Sequence, residues 1–350
     1  MHKKLCRRGG DRMEVRIQKR EAGYCNLKLL LIFLVVYGHL IEPQIGESRI
    51  LYEIYRLIYL FHMPLFAFLS GMFLKGQRNS RKQMKRTFLI YVLMQSAVWI
   101  WMQISHWGRV TWNQPYWHLW YLLSLGYWAA AAFGWNWLIG RFPSLNQSVW
   151  KAGIILLAAG IGCIVGGIKE VNRIHSLSRS IVFFPYVLAG LFCPLETAWK
   201  RYRGIGLAVF LLAALVYWKW GRTIPATFFY QAASFGSMGV KKGIWFRLVS
   251  YCLGILFSFC LLTWIPQRRF RWSKAGANTL GIYICHAFVV RVIWKAEMSG
   301  TQLLLSAPWI AGFLVWFFYK LFQWSGRIYQ IVPSNHGGKR IQKERTYGGV

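Results

Sequence analysis

Long apolar runs alternate with short clusters of lysine and arginine along almost the whole chain. The runs are about 17 to 22 residues long, enough for one helix to cross a bilayer. With 350 residues, of which 56% are hydrophobic, the chain is too apolar to hide these side chains in a water-soluble core. The net charge of +33 sits in the connections between runs, a pattern of membrane loops rather than of nucleic-acid binding. The sequence therefore predicts an all-α, polytopic helix bundle that contacts membrane lipids and binds no nucleic acid.

Ten membrane spans account for the apolar runs. They cover residues 25–42, 57–74, 87–105, 117–138, 150–168, 180–196, 203–218, 243–264, 278–297 and 302–324. On this division, thirty of the 43 Lys and Arg residues lie on the side of the N-terminus and eleven on the other side. Because basic residues near span ends resist translocation, both termini are predicted to be cytoplasmic. The predicted domains are a basic N-terminal segment (1–24), the transmembrane bundle (25–325) and a basic cytoplasmic tail (326–350).

The seven cysteines form no CxxC pair and share no spacing with the histidines. Most of them fall inside apolar runs, where a thiol packs as a small apolar side chain. We therefore expect neither a disulfide framework nor a metal site.

Four histidines lie in or near the predicted spans: His39, His62, His118 and His286. Ionisable side chains at membrane depth usually face the bundle interior or a water-filled cavity. The aspartates and glutamates lie outside the predicted spans or at their edges, so histidine is the main candidate for proton transfer. A desolvated imidazole stays neutral and can accept a proton from a hydroxyl. For each histidine, a hydrogen bond that only fixes helix packing remains the alternative.

The stretch KLLLIFLVVYGH carries an ionisable residue at each end, Lys28 and His39. Eleven helical steps of about 100° return almost to the starting face, with a rise of about 16 Å. We expect Lys28 near the cytoplasmic surface and His39 well inside the membrane on the same face. The second span runs in the opposite direction and is expected to bring His62 to a similar depth, where the two imidazoles meet.

Five stretches resemble the acyltransferase-3 family of integral-membrane O-acyltransferases and, within it, the fucose 4-O-acetylase-like branch. They are NLKLLLIFLVVYGH (26–39), FHMPLFAFLSGMFL (61–74), LWYLLSL (119–125), SLSRSIVFFPYVLAGLF (176–192) and LGIYICHAFVV (280–290), in the family's order. The resemblance implies a helical bundle in a bacterial cytoplasmic membrane. It also implies transfer of an acyl group, usually acetyl from cytoplasmic acetyl-CoA, to a hydroxyl of an envelope sugar, glycan or lipid-linked saccharide.

The resemblance also assigns roles by position. His39 matches the family's catalytic histidine, and Lys28 matches the basic member of the same pair, which is often arginine in relatives. The predicted catalytic residues are His39, Lys28 and His62, where His62 is expected to orient His39 because of its similar depth. Lysine lacks the planar fork of arginine, so it cannot make a bidentate phosphate contact. Cys25 stands where many relatives have aspartate, which leaves open any role the family gives to an acid there.

A basic cluster follows the second span on the predicted cytoplasmic side. Its members are Lys75, Arg78, Arg81, Lys82, Lys85 and Arg86. Because CoA is a polyanion, we predict that Lys28, Lys82, Lys85 and Arg86 hold its phosphates. The alternative is that the cluster binds no CoA and only fixes the membrane topology or contacts anionic lipid.

Three residues are candidates for binding the acceptor: Arg179 at the outer start of the sixth span, His118 beside Trp117, and His286 in the ninth span. Each has a purely structural alternative. Arg179 could snorkel to the membrane interface, His118 could belong to an interfacial aromatic belt, and His286 could make a hydrogen bond in the core. Ser70 and Gly71 are interpreted as a close-packing pair and not as a nucleophile site, since no GxSxG pattern surrounds the serine.

Two other functions remain open from the sequence. A transporter or flippase of glycan precursors would also place histidine and arginine inside a helical bundle, although no paired halves are visible in this chain. A non-catalytic membrane scaffold would tolerate replacement of the histidines. Association of the protein into a homo-oligomer also stays open.

Overall fold

A computed structural model describes residues 2–106, 108, 110–171, 174–194 and 199–324 of the chain. These residues form a helical bundle and contain no β-strand, which confirms the predicted fold class. The predicted tail (326–350) lies outside the described residues.

Ten α-helices make up the described bundle. They are α1 (His2–Ile41), α2 (Arg49–Phe73), α3 (Gln77–Ser105), α4 (Trp120–Arg141), α5 (Ser148–Val165), α6 (Leu177–Phe192), α7 (Arg203–Lys219), α8 (Gly243–Trp264), α9 (Thr279–Trp294) and α10 (Gly300–Trp324). Nine of these described helices are long and apolar enough to cross a membrane when α6, α7 and α9 are counted with their adjoining 3-10 turns. The remaining one, α4, is rich in tryptophan and tyrosine and packs between α3 and α6.

Each predicted span corresponds to one of these helices, in the same order. The helix that contains the second predicted span (57–74) is longer than that span, because α2 already begins at Arg49. Glu53 and Arg56 therefore lie inside the helix, where Nη2 of Arg56 is 2.5 Å from Oε2 of Glu53. The ion pair neutralises two charges that the sequence predicts in a loop before the span. The helix itself is capped by Ser48, whose Oγ accepts a hydrogen bond from the Leu51 amide.

The centre of the bundle is formed by α1, α2 and α6. Of the span residues, 61% are buried in α1, 56% in α2 and 61% in α6, against 22% in both α5 and α7. The backbones of α2 and α6 touch at two glycines: a Cβ on Gly71 would lie 1.9 Å from the Val187 carbonyl oxygen, and one on Gly190 would lie 1.9 Å from the Phe68 carbonyl oxygen. The interpretation of Gly71 as a close-packing residue is confirmed.

Long-range hydrogen bonds hold α1 at both ends of its span. The side-chain amide of Asn26 donates to the Pro266 carbonyl at 2.7 Å, and Oγ of Ser273 donates to Oδ1 of Asn26 at 2.5 Å. At the other end the indole of Trp294 donates to the carbonyl of His39 at 2.9 Å. The face of α1 that carries Lys28 and His39 is therefore fixed relative to α9 and to the connection after α8.

Candidate active site

His39 lies in the last turn of α1, with 14% of its side chain exposed. Its Nδ1 atom is 3.2 Å from Oε2 of Glu42, which begins the short 3-10 helix Glu42–Gln44 directly after α1. The hydroxyl oxygen of Tyr59 is 3.3 Å from the same nitrogen. A carboxylate opposite Nδ1 favours the tautomer with its proton on that nitrogen, which leaves the lone pair of Nε2 for a reacting hydroxyl.

Two rings pack directly on the imidazole of His39. His286 stacks on it with 5.5 Å between ring centroids and 20° between ring planes, and the Trp117 ring centroid is 4.3 Å away. Nδ1 of His286 is 2.7 Å from the Tyr283 carbonyl oxygen and donates its proton there. His118 packs edge-on against His286 at 5.8 Å. These contacts hold the His39 ring in one orientation.

Tyr59 connects His62 to His39. Its ring packs edge-on against the His62 ring at 4.7 Å, while its hydroxyl reaches Nδ1 of His39. Nδ1 of His62 is 2.6 Å from the carbonyl oxygen of Ile58, one turn earlier in α2. The expected meeting of the two imidazoles is therefore replaced by a contact through Tyr59, because His62 is bonded to the backbone of its own helix.

A first cavity, of about 160 Å³, follows the face of α1 from Lys28 to His39. Polar residues line the Lys28 end: Lys28 itself and, from the start of α3, Gln83, Arg86 and Thr87. The walls in between are mainly apolar, and the other end is bordered by three histidines: His39, His62 and His118. The prediction that Lys28 and His39 share one helical face is confirmed.

A second cavity, of about 330 Å³, lies on the other side of His39. It is lined by aromatic rings and by polar groups from the connection before α4, the outer end of α6 and the connection before α8. These residues include Glu42, Tyr59, Gln114, Trp117, Trp120, Ser176, Arg179 and Tyr230. Flat aromatic faces combined with a guanidinium, an amide and a carboxylate suit a ligand that has both apolar ring faces and hydroxyls.

Four residues border both cavities: His39, Tyr59, Met63 and Trp120. Of these, only His39 can act as a base at neutral pH. A molecule in the first cavity and a molecule in the second therefore both have access to one imidazole.

The family profile described as Acyltransferase domain matches residues 23–324, which include both cavities, the helices α2 to α10 and the apolar part of α1. The chain belongs to the acyltransferase-3 family. It is accordingly a multi-pass membrane acyltransferase. No curated protein and no solved structure is significantly similar to the chain.

The four basic residues predicted to hold the acyl donor of this acyltransferase divide into two groups. Lys28 and Arg86 line the first cavity, and Lys28 is buried with its Nζ 5.3 Å from the ring centroid of Phe73. Lys82 and Lys85 lie on another face of α3, in an open groove that also contains Gln77, Arg78, Arg81 and Phe133. A donor that reaches His39 through the first cavity passes Lys28 and Arg86.

The three residues predicted to bind the acceptor lie in three different places. Arg179 borders the second cavity, where its Nε donates to the Tyr230 carbonyl at 2.9 Å and its guanidinium lies 4.8 Å from the Trp120 ring centroid. His118 borders the first cavity instead. His286 is fully buried behind His39.

Glu42 and Tyr230 are site residues that the sequence reasoning missed. Glu42 follows His39 by three residues, a spacing of about one helical turn that could have indicated the pair. Tyr230 gives no such signal, because it reaches the site from the distant 3-10 helix Ala226–Tyr230; its hydroxyl lies 3.5 Å from Oε1 of Glu42 and 2.8 Å from the Tyr55 hydroxyl. Burial, with Glu42 nearby, raises the pKa of Tyr230 above its ordinary value, so the phenol remains a proton donor.

Proposed function

We propose that this acyltransferase moves an acetyl or other short acyl group from cytoplasmic acyl-CoA to a hydroxyl of an envelope sugar, glycan or lipid-linked saccharide. Acetyl-CoA is the expected donor, and the enzyme is assigned to the fucose 4-O-acetylase-like branch in a bacterial cytoplasmic membrane. The observation that supports this most strongly is the position of His39 between two cavities of different chemistry.

The first cavity suits the thioester arm of CoA. It is mainly apolar and carries Lys28 and Arg86 at the end opposite His39. The charge asymmetry of the sequence predicts that this end lies on the cytoplasmic side. A slender pantetheine arm can follow the apolar walls while the two cations contact phosphate oxygens.

The second cavity suits a saccharide. Sugar rings stack their C–H faces on aromatic side chains, and Trp117, Trp120 and Tyr230 supply such faces. Arg179 and Gln114 add hydrogen-bond donors for ring hydroxyls. The cavity faces the outer side in the predicted orientation, from which an envelope glycan or a lipid-linked sugar arrives.

Direct transfer of the acyl group from the thioester to the hydroxyl needs one general base. Nε2 of His39 takes the proton of the acceptor hydroxyl while the hydroxyl oxygen attacks the thioester carbonyl carbon. A C–O bond forms, the C–S bond breaks, and the leaving CoA thiolate recovers the proton from the imidazolium. The carboxylate of Glu42, 3.2 Å from Nδ1, stabilises the imidazolium while it exists. In the alternative route, His39 itself first attacks the thioester and passes the acyl group to the hydroxyl.

Acyl transfer by purified protein tests the proposal. With acetyl-CoA labelled in the acetyl group and an envelope saccharide fraction, the wild-type protein is expected to release CoA thiol and to label the saccharide. His39→Gln should abolish both, whereas His106→Gln, at an exposed loop histidine, should change neither. A His39→Gln protein that transfers acetyl at the wild-type rate would refute the assignment. A flippase would instead move unmodified saccharide without consuming acetyl-CoA.

A further inference from the structure

The guanidinium of Arg247 is buried inside the bundle near the start of α8. The residue is 1% exposed, and none of its three nitrogens has a hydrogen-bond partner among the described residues. Charged side chains at membrane depth normally pair with an opposite charge or with backbone carbonyls. Arg247 thus has neither a hydrogen-bond acceptor within reach nor a carboxylate among the described residues that line the cavity beside it.

Two aromatic rings partly compensate this charge. The guanidinium carbon lies 5.1 Å from the ring centroid of Phe228 and 5.5 Å from that of Phe235, and the two rings are nearly parallel. Phe235 is held in place by two glycines, since a Cβ on Gly166 or on Gly243 would lie 2.1 Å from its ring. Ring faces attract a cation but accept no strong hydrogen bond, so the N–H groups of Arg247 stay unsatisfied.

A small cavity of about 10 Å³ borders Arg247. The Tyr186 and Tyr251 hydroxyls beside it donate to backbone carbonyls, at 3.4 Å and 3.0 Å respectively. Gln231 also lines this cavity, and its Oε1 has no donor among the described residues. Turning the amide over puts its NH₂ group in the place of this oxygen. No carboxylate lies among the residues that line this cavity in the described part of the chain.

We propose that this cavity binds a single halide ion, chloride in the cell. The buried positive charge requires a negative partner, which a water molecule does not supply. A cavity of this size holds about one water-sized particle, so it accepts a monatomic anion but has no room for a carboxylate or phosphate group. Arg247 and, once its amide is turned, Gln231 both line this cavity and can each donate to an ion inside it.

The ion reaches this site from the second cavity. The two cavities share Tyr59, Phe183 and Phe229, so these three rings separate the halide from the outer side. The halide site does not depend on the proposed acyl transfer, because none of the three nitrogens of Arg247 takes part in that reaction.

Thermal unfolding of the purified full chain in detergent tests the site. Sodium chloride or bromide is compared with sodium gluconate at equal ionic strength. In the wild-type protein the halide should raise the melting temperature by roughly 2–4 °C. The Arg247→Gln protein, which lacks the buried charge, should fold and should have the same melting temperature in halide and in gluconate. Arg203→Gln, at an exposed arginine that starts α7, should keep it.

A crystal of the wild-type protein grown in bromide gives a second readout that does not depend on any variant. We expect an anomalous scattering peak within hydrogen-bond reach of the Arg247 guanidinium. Equal melting temperatures in halide and gluconate, a halide effect of the same size in Arg247→Gln, or the lack of a bromide peak beside Arg247 would each overturn the proposal.

Discussion

Nδ1 of His39 lies 3.2 Å from Oε2 of Glu42, although the two residues belong to different helical segments. The pair forms because α1 ends at Ile41 and the chain continues in a 3-10 turn that keeps the carboxylate one turn above the imidazole. Glu42 also borders the second cavity. It is a positioning residue, since it acts on the acceptor through His39.

Replacing Glu42 by glutamine should lower kcat for acyl transfer by about 100-fold, since a neutral amide no longer stabilises the imidazolium or its productive tautomer. The KM for acetyl-CoA should stay within about twofold, because Glu42 does not line the first cavity. Steady-state kinetics measure both. Glu53→Gln is the matched control, as that carboxylate pairs with Arg56, and it should keep the wild-type kcat. An unchanged kcat in Glu42→Gln would remove this residue from the mechanism.

Lys28→Met should raise the KM for acetyl-CoA by about tenfold with little change in kcat, because methionine keeps the packing on Phe73 but removes one cation from the donor cavity. Lys82→Met should have a much smaller effect, since Lys82 lies in the separate groove on α3. Initial rates at varied acetyl-CoA concentration compare the two variants. A larger effect of Lys82→Met than of Lys28→Met would mean that the phosphates bind in the groove and not at the Lys28 end of the first cavity.

Arg179→Gln is expected to raise the KM for the saccharide several-fold and to leave the KM for acetyl-CoA unchanged, because Arg179 borders only the second of the two cavities beside His39. Its guanidinium also lies over the Trp120 ring, so the substitution weakens the aromatic platform. Arg222→Gln, at an exposed arginine on the same predicted side, serves as the control. A raised KM for acetyl-CoA in Arg179→Gln would contradict the division between donor and acceptor cavities.

Gly71→Ala should destabilise the bundle by about 1–3 kcal/mol, because the new methyl group would collide with the Val187 backbone and force α2 and α6 apart. The melting temperature in detergent should fall accordingly. Gly153→Ala in α5 offers a comparison, since a Cβ there meets no atom within 4 Å. If both variants melt like the wild type, the two helices do not depend on this close approach.

Local sequence patterns predict the helices well. The order of the ten helices and the common face of Lys28 and His39 follow from hydropathy and from the helical repeat, both of which are properties of neighbouring residues. Partners that come from distant segments do not follow from such patterns. His286 stacks on His39 from α9, and Tyr230 approaches Glu42 from the connection before α8. Such contacts depend on how the helices pack against one another, and neither the hydropathy pattern nor the helical repeat of one segment contains that information.

Glu42 is a different kind of omission. Its spacing from His39 was visible, but it fell on the predicted boundary of the first span, where a carboxylate is expected to face water. In the folded chain its side chain turns back toward the imidazole. A charged residue at a span boundary therefore has to be considered as a partner of the last helical turn.

The central claim is that one imidazole is open to both sides of the membrane. His39→Cys, in a protein whose native cysteines are replaced by serine, can be treated in sealed vesicles with a small, membrane-impermeant methanethiosulfonate. We predict modification from either face, with acetyl-CoA protecting the thiol only against reagent on the cytoplasmic face. Modification from one face alone, or from neither, would contradict the account.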